Sequence, residues 1–173
     1  MNTTGAIPAV STPERRPAGL VIRLAAMTYE SVLLFGVMFV VTYAVLSLAR
    51  WTYPMPAFQR AILQAVLFFT FGLYFVYQWN RTGQTLAMKS WHLRVLDEAG
   101  RPPGIATAIT RYVLAWHLVL PGVIWIALFG GNGALDALVS VLGFAALLAL
   151  ALFDDQRRLL HDRLTATRIV RER

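Results

Sequence analysis

The sequence predicts an all-α membrane protein: a four-span transmembrane helical bundle with a short interfacial helix, and short strands on the cytoplasmic side as an open alternative to irregular backbone. Three observations carry that reading. Of 173 residues, 57% are hydrophobic and only 14% charged, where soluble domains average about 45–50% and about 25%. Four apolar runs of 18 to 25 residues punctuate the chain, and mean hydropathy is +0.56. The 16 Lys and Arg residues fall almost wholly in alternate polar segments.

Residues 1–17 are rich in Thr, Ala, Pro and Ser, with Arg15-Arg16 near the end. They have too little apolar surface to join a core and read as a flexible cytoplasmic tail. They lack the early basic stretch and closely following apolar run of a secretory signal. Residues 18–173 form the membrane domain, with spans expected at about 24–48, 61–79, 112–129 and 135–153. At about 1.5 Å per residue each reaches roughly 27 Å or more, close to the hydrocarbon thickness of about 30 Å. Pro121-Gly122 interrupts the third run. A membrane helix tolerates such a break when neighbours satisfy the freed backbone groups. A single re-entrant hairpin over 112–153 is the alternative to two full spans.

With four spans, 14 cations lie on one side of the bilayer and 2 on the other. The positive-inside rule then places both termini in the cytoplasm. Trp51, Tyr53, Tyr77, Trp79, Tyr112 and Trp116 stand near span ends, where amphipathic rings favour the headgroup level. The expected partners are the lipid bilayer and anionic lipid headgroups. Nucleic acid is not an expected partner, because the net charge of +7 divides among three separate segments with no binding module.

The longest polar piece is the cytoplasmic loop 80–110. Residues 84–96 begin like a helix lying at the interface and end with strand-like alternation. In the cytoplasmic tail, 154–173, residues 167–170 form a second strand candidate.

Glu30 is the one acid well inside an apolar run, about 9 Å into the first span. A charge at the centre of a membrane helix costs about 2.5–3.5 kcal/mol on insertion scales, so it faces protein or water. It is either a proton- or cation-binding carboxylate or a structural one that fixes helix packing. Arg23 shares its helix face seven residues earlier and is expected to reach for lipid phosphate. On the third span, His117 follows Arg111 by six residues at about the depth of Glu30, which predicts a Glu30–His117 contact. Tyr74, Tyr77 and Gln78 lie in the same cytoplasmic third. Asp136 opens the fourth span, where a carboxylate suits the helix dipole. Asp154 and Asp155 read as surface ion-pair partners.

The histidines show no metal-ligand spacing, and there is neither cysteine nor a phosphate-cradling glycine loop. No metal, cofactor or enzymatic activity is expected.

The motifs at Arg23-Leu24-Ala25-Ala26, at residues 83–102 and at Leu160-His161-Asp162-Arg163-Leu164 with Thr167 resemble the RDD family of small bacterial membrane proteins. That family is named for one arginine and two aspartates. The resemblance implies roles for Arg23, Glu30 and Asp162. Glu30 stands where the first aspartate is usual, and Ala87 stands where the loop motif has glycine. Gly83, Gln84, Thr85, Trp91 and Arg94 fall in the loop motif, and His161 and Arg163 in the tail motif. Many relatives are shorter between the positions of Arg111 and Asp154. The resemblance implies residence in the bacterial inner membrane and suggests transport, including cation/proton exchange.

Two functions fit. One is transport of a small ion or solute coupled to protonation of Glu30, with Arg23, His117 and Asp162 modulating its charge. Four spans enclose little pathway, which points to a homodimer. The other is a non-catalytic membrane module that binds a partner membrane protein or anionic lipid through the loop and the LHDRL tail.

Overall fold

The computed structural model describes residues 15–130, 132–149 and 158–172. Most of the tail 1–17, the end of the expected fourth span and Asp154-Asp155 lie outside the described residues. The chain order is β1 (Arg15–Pro17), α1 (Leu20–Ala49), α2 (Ala57–Thr82), α3 (Leu86–Ser90), β2 (Leu93–Leu96) and α4 (Ile105–Ala115). A 3-10 turn (Trp116–Leu118) leads into α5 (Leu120–Phe129), α6 (Gly133–Ala149), α7 (Leu160–Leu164) and β3 (Arg168–Glu172).

Helices α1 and α2 are long and apolar enough to cross a membrane. Helix α1 stops where Arg50 turns left-handed, and the following Trp51 N–H bonds the Leu46 carbonyl at 3.0 Å. Pro54 and Pro56 then prevent resumption until α2. Helix α2 ends at Gly83, with φ +72°, whose N–H bonds the Trp79 carbonyl at 2.9 Å. Only glycine suits this position, since a Cβ here would lie 2.6 Å from the Val95 carbonyl oxygen.

The expected third span is bent, as a broken span or a re-entrant loop would be. The helix over Ile105–Leu118 and the helix that follows it meet at 51°. Pro121 has no N–H to donate to His117, and its ring crowds that carbonyl, so the chain tightens into a 3-10 turn and restarts. Helix α4 also begins seven residues before the expected span, within the stretch read as loop. Helix α6 is apolar and 17 residues long. It packs on α5 with Gly143 against the ring of Pro121.

A short helix, α3, forms at the start of the loop motif, where an interfacial helix is expected. The two strand candidates pair antiparallel as β2 and β3, with Val95 opposite Ile169. A third strand comes from residues 15–17, which the sequence reading assigned to the flexible tail. Arg16 there faces Arg171, and the sheet order is β1-β3-β2. Backbone pairing with β3 orders this piece despite its polar composition, a contact that local composition does not reveal. The sheet thus ties three distant segments together at one end of the bundle. Its Leu93 and Val95 meet Ala26, Trp79, Ala108 and Tyr112 in the main core.

The α5–α6 contact gives the first prediction. A Cβ on Gly143 would stand 2.6 Å from the rigid Pro121 ring. Gly143→Leu should therefore separate the two helices and lower stability by about 1–3 kcal/mol. Denaturant unfolding of the protein in detergent checks this.

Candidate functional site

Three buried charges meet where α1, α4 and α7 converge. Asp162 is fully buried, with Arg23 and Arg111 at 4% and 2% exposure. Arg23 Nη2 pairs with Asp162 Oδ2, and Arg111 Nη1 lies 2.5 Å from Oδ1. The same carboxylate accepts the Leu159 N–H at 3.1 Å, so it also caps α7. Arg111 donates to Thr167 Oγ1 at 2.6 Å, and its guanidinium lies 5.0 Å from the centre of the Trp79 ring. A planar fork can serve a carboxylate, a hydroxyl and an aromatic face together, which a lysine cannot.

Burial alone would raise the Asp162 carboxyl, but the neighbouring Arg111 and Arg23 charges outweigh it and hold the group below its ordinary range. Burial, reinforced by Arg111, pushes the His161 imidazole down to about 3. His161 is therefore neutral at pH 7, although its Nε2 lies 3.3 Å from Asp162 Oδ1.

Glu30 occupies a second polar node, also buried. Tyr74 Oη donates to Oε1 at 2.5 Å, and Thr85 Oγ1 donates to Oε2. Thr85 simultaneously accepts the Met88 N–H at 3.3 Å as the cap of α3. Tyr74 Oη accepts the Leu86 N–H at 3.3 Å. One carboxylate thus joins α1 to α2 and to the loop motif.

The structure corrects two expectations. Glu30 is held by Tyr74 and Thr85, whereas His117 Nδ1 lies 2.5 Å from the Leu114 carbonyl and its ring sits edge-on to His161. Equal depth placed Glu30 and His117 at one level. The 3-10 turn sets a direction for the imidazole that depth does not predict. Arg23 turns inward to Asp162 instead of snorkelling to phosphate, because the buried carboxylate is the stronger partner.

The remaining motif residues divide by role. Gln84 donates to the Leu93 carbonyl at 2.7 Å and accepts from Arg94, which also pairs with Glu172 at 3.3 Å. Gly83 makes the turn, and Trp91 is 38% exposed. Arg163 points to the surface of α7, away from the buried Asp162 beside it. Asp136 lies in the first turn of α6 and accepts the Trp125 indole N–H at 3.1 Å. Arg111 as the second cation on Asp162, and Thr85 as a ligand of Glu30, were not foreseen. Membership of the loop motif is the signal for Thr85, and a cation directly before the third apolar run is the signal for Arg111.

A cavity of about 330 Å³ lies between the helices. Met27, Leu34, Phe71 and Phe75 supply much of its apolar wall, and Glu30 and His161 contribute to the lining.

An apolar helix assembly with long membrane-crossing helices and a buried Arg–Asp–Arg network defines an integral membrane protein. Residues 17–166 match the family model described as the RDD family, and the chain belongs to that family. Among curated proteins and among solved structures, none matches the chain.

Two predictions follow from the ion network. Asp162→Ala leaves two buried guanidiniums without their carboxylate and should cost about 3–5 kcal/mol. Arg163→Ala, on the exposed side of α7, should cost less than about 1 kcal/mol. Thermal unfolding in detergent compares them.

Acid should weaken the same region. Both groups have depressed folded values, so the unfolded chain takes up protons first. The His161 contribution is complete above its ordinary 6.5 and is lost as pH falls towards about 3. The Asp162 contribution is complete above 3.8 and is lost below it. NMR of the His161 ring should show no titration between pH 8 and 5; a midpoint near 6.5 contradicts its burial as a neutral group.

Proposed function

We propose that this membrane protein moves a small ion or solute across the bacterial inner membrane, coupled to protonation of Glu30. The supporting observation is the placement of Glu30: a buried carboxylate on a helix long and apolar enough to cross a membrane, lining a half-open cavity and bonded by two hydroxyls. A hydroxyl both donates and accepts. Tyr74 and Thr85 can therefore serve the carboxylate and, after rotation, the protonated acid without moving a helix. Arg23 and Arg111, the two cations on Asp162, line the same cavity as Glu30.

In this reading the chain crosses the bilayer four times, both termini are cytoplasmic, and no enzymatic step is involved. The 14-to-2 division of cations supports the orientation. Joining of the N-terminal segment, loop and tail in one sheet suits an even number of crossings. A homodimer would enlarge the small pathway of one copy.

The second reading is a membrane module for a partner protein or anionic lipid. The exposed Arg163, Arg168 and Arg171 favour it. Contact through Asp162 is disfavoured, because that residue is fully buried.

Proteoliposomes with an entrapped pH dye distinguish these functions. Pulses of sodium, potassium or lithium salts should drive proton movement by the wild type, and Glu30→Gln should reduce it at least about tenfold, since amide cannot exchange a proton in the working range. Equal flux in the variant sinks the carboxylate mechanism.

A further inference from the structure

A groove of about 600 Å³ lies outside the ion network, where α1 leaves the sheet. Arg16 and Arg171 line one part of it, directly opposite each other in the β1–β3 register. Their shared sheet face also carries Ile169, Leu93 and Val95, which pack towards α1. The two arginines therefore stand on the helix-facing side of the sheet, at its rim. Both are exposed.

The opposite wall is the beginning of α1. Gly19 is its N-cap, without a side-chain cap, and the first turn holds no acid. The unsatisfied N–H groups and the positive end of the helix dipole favour an anion here. Val21 and Ala25 complete this wall, and Val21 is 82% exposed. The partly exposed Trp91 lies at the same groove, as suits an amphipathic ring at the headgroup level.

From Val21 an exposed apolar stripe continues through Leu24, Val32, Phe35 and Phe39. Their spacing follows the helical repeat. An anion-binding end thus opens directly onto an apolar track along a helix long enough to cross the bilayer. A free phosphate would use only the first part. A phospholipid uses both.

We propose that this groove binds the phosphate of an anionic membrane phospholipid, held by Arg16, Arg171 and the start of α1, with an acyl chain along the exposed stripe. Paired guanidinium forks suit phosphate oxygens, while the ammonium of a zwitterionic choline headgroup meets repulsion. The site is separate from Glu30 and does not depend on the transport reading. It rests on α1 crossing the membrane.

The full-length protein, purified in a mild detergent, is titrated with phosphatidylglycerol and with phosphatidylcholine of the same chains, and bound lipid is counted by native mass spectrometry. Phosphatidylglycerol should bind the wild type in preference, and Arg16→Gln/Arg171→Gln should weaken it about tenfold or more. Arg101→Gln, which removes a cation from the remote 77%-exposed site beside Asp97, should change little. Trp91→Ala, which leaves the charge intact, should weaken both lipids several-fold.

Retention of phosphatidylglycerol by the double variant overturns the proposal. So does an equal loss in Arg101→Gln, which would make the attraction a matter of total charge. Full displacement of lipid by inorganic phosphate at matched concentration would assign the site to a soluble anion instead. Circular dichroism and thermal unfolding of each variant separate loss of the lipid site from loss of the fold.

Discussion

The pairing of Asp162 with two arginines governs the assembly. Its carboxylate lies outside the long apolar helices, yet α1 and α4 each send a buried guanidinium to it. Any one of these groups alone would be costly in such surroundings. Together the two guanidiniums share one carboxylate, and that sharing joins α1, α4 and α7. The neutral His161 beside them adds shape without another cation.

Glu30 uses the same logic with weaker bonds. Its partners are hydroxyls, which can reverse the sense of a hydrogen bond, whereas guanidiniums can only donate. One carboxylate is held by two fixed cations and the other by two neutral hydroxyls. Thr85 links Glu30 to the cap of α3, so a proton on that carboxylate alters a bond to the same residue that starts the loop helix. The two nodes thus occupy different chemical regimes within one compact region.

Much of the helical framework was legible because hydropathy depends on composition along one strand of chain. Continuous apolar runs reveal α1 and α2, although not their ends: Arg23 extends α1 beyond its lipid-like portion because a distant aspartate neutralises it. Pro121 announces a break but not its angle of 51°, and the residues do not reveal that Gly143 of α6 lies against its ring. The candidate site was legible as a set of residues through the RDD resemblance, not as a set of contacts. Arg23 and Asp162 are separated by 139 positions, and no helical period relates them. Glu30 and His117 share a depth, but depth leaves the direction around each helix undetermined. Alternation points to β2, and 167–170 stands as a second candidate beside irregular backbone, whereas β1 is only three residues long and owes its form to a partner.

The order of the sheet has a consequence for synthesis. Strand β3 is central, yet it follows every long helix in the chain, while β1 precedes them all. During translation the helices can enter the bilayer before either β1 or β2 has its common neighbour. The guanidiniums of Arg23 and Arg111 likewise emerge before Asp162. The sheet can therefore close only after β3 is made, so the link between β1 and β2 waits for a strand that follows the helices they flank.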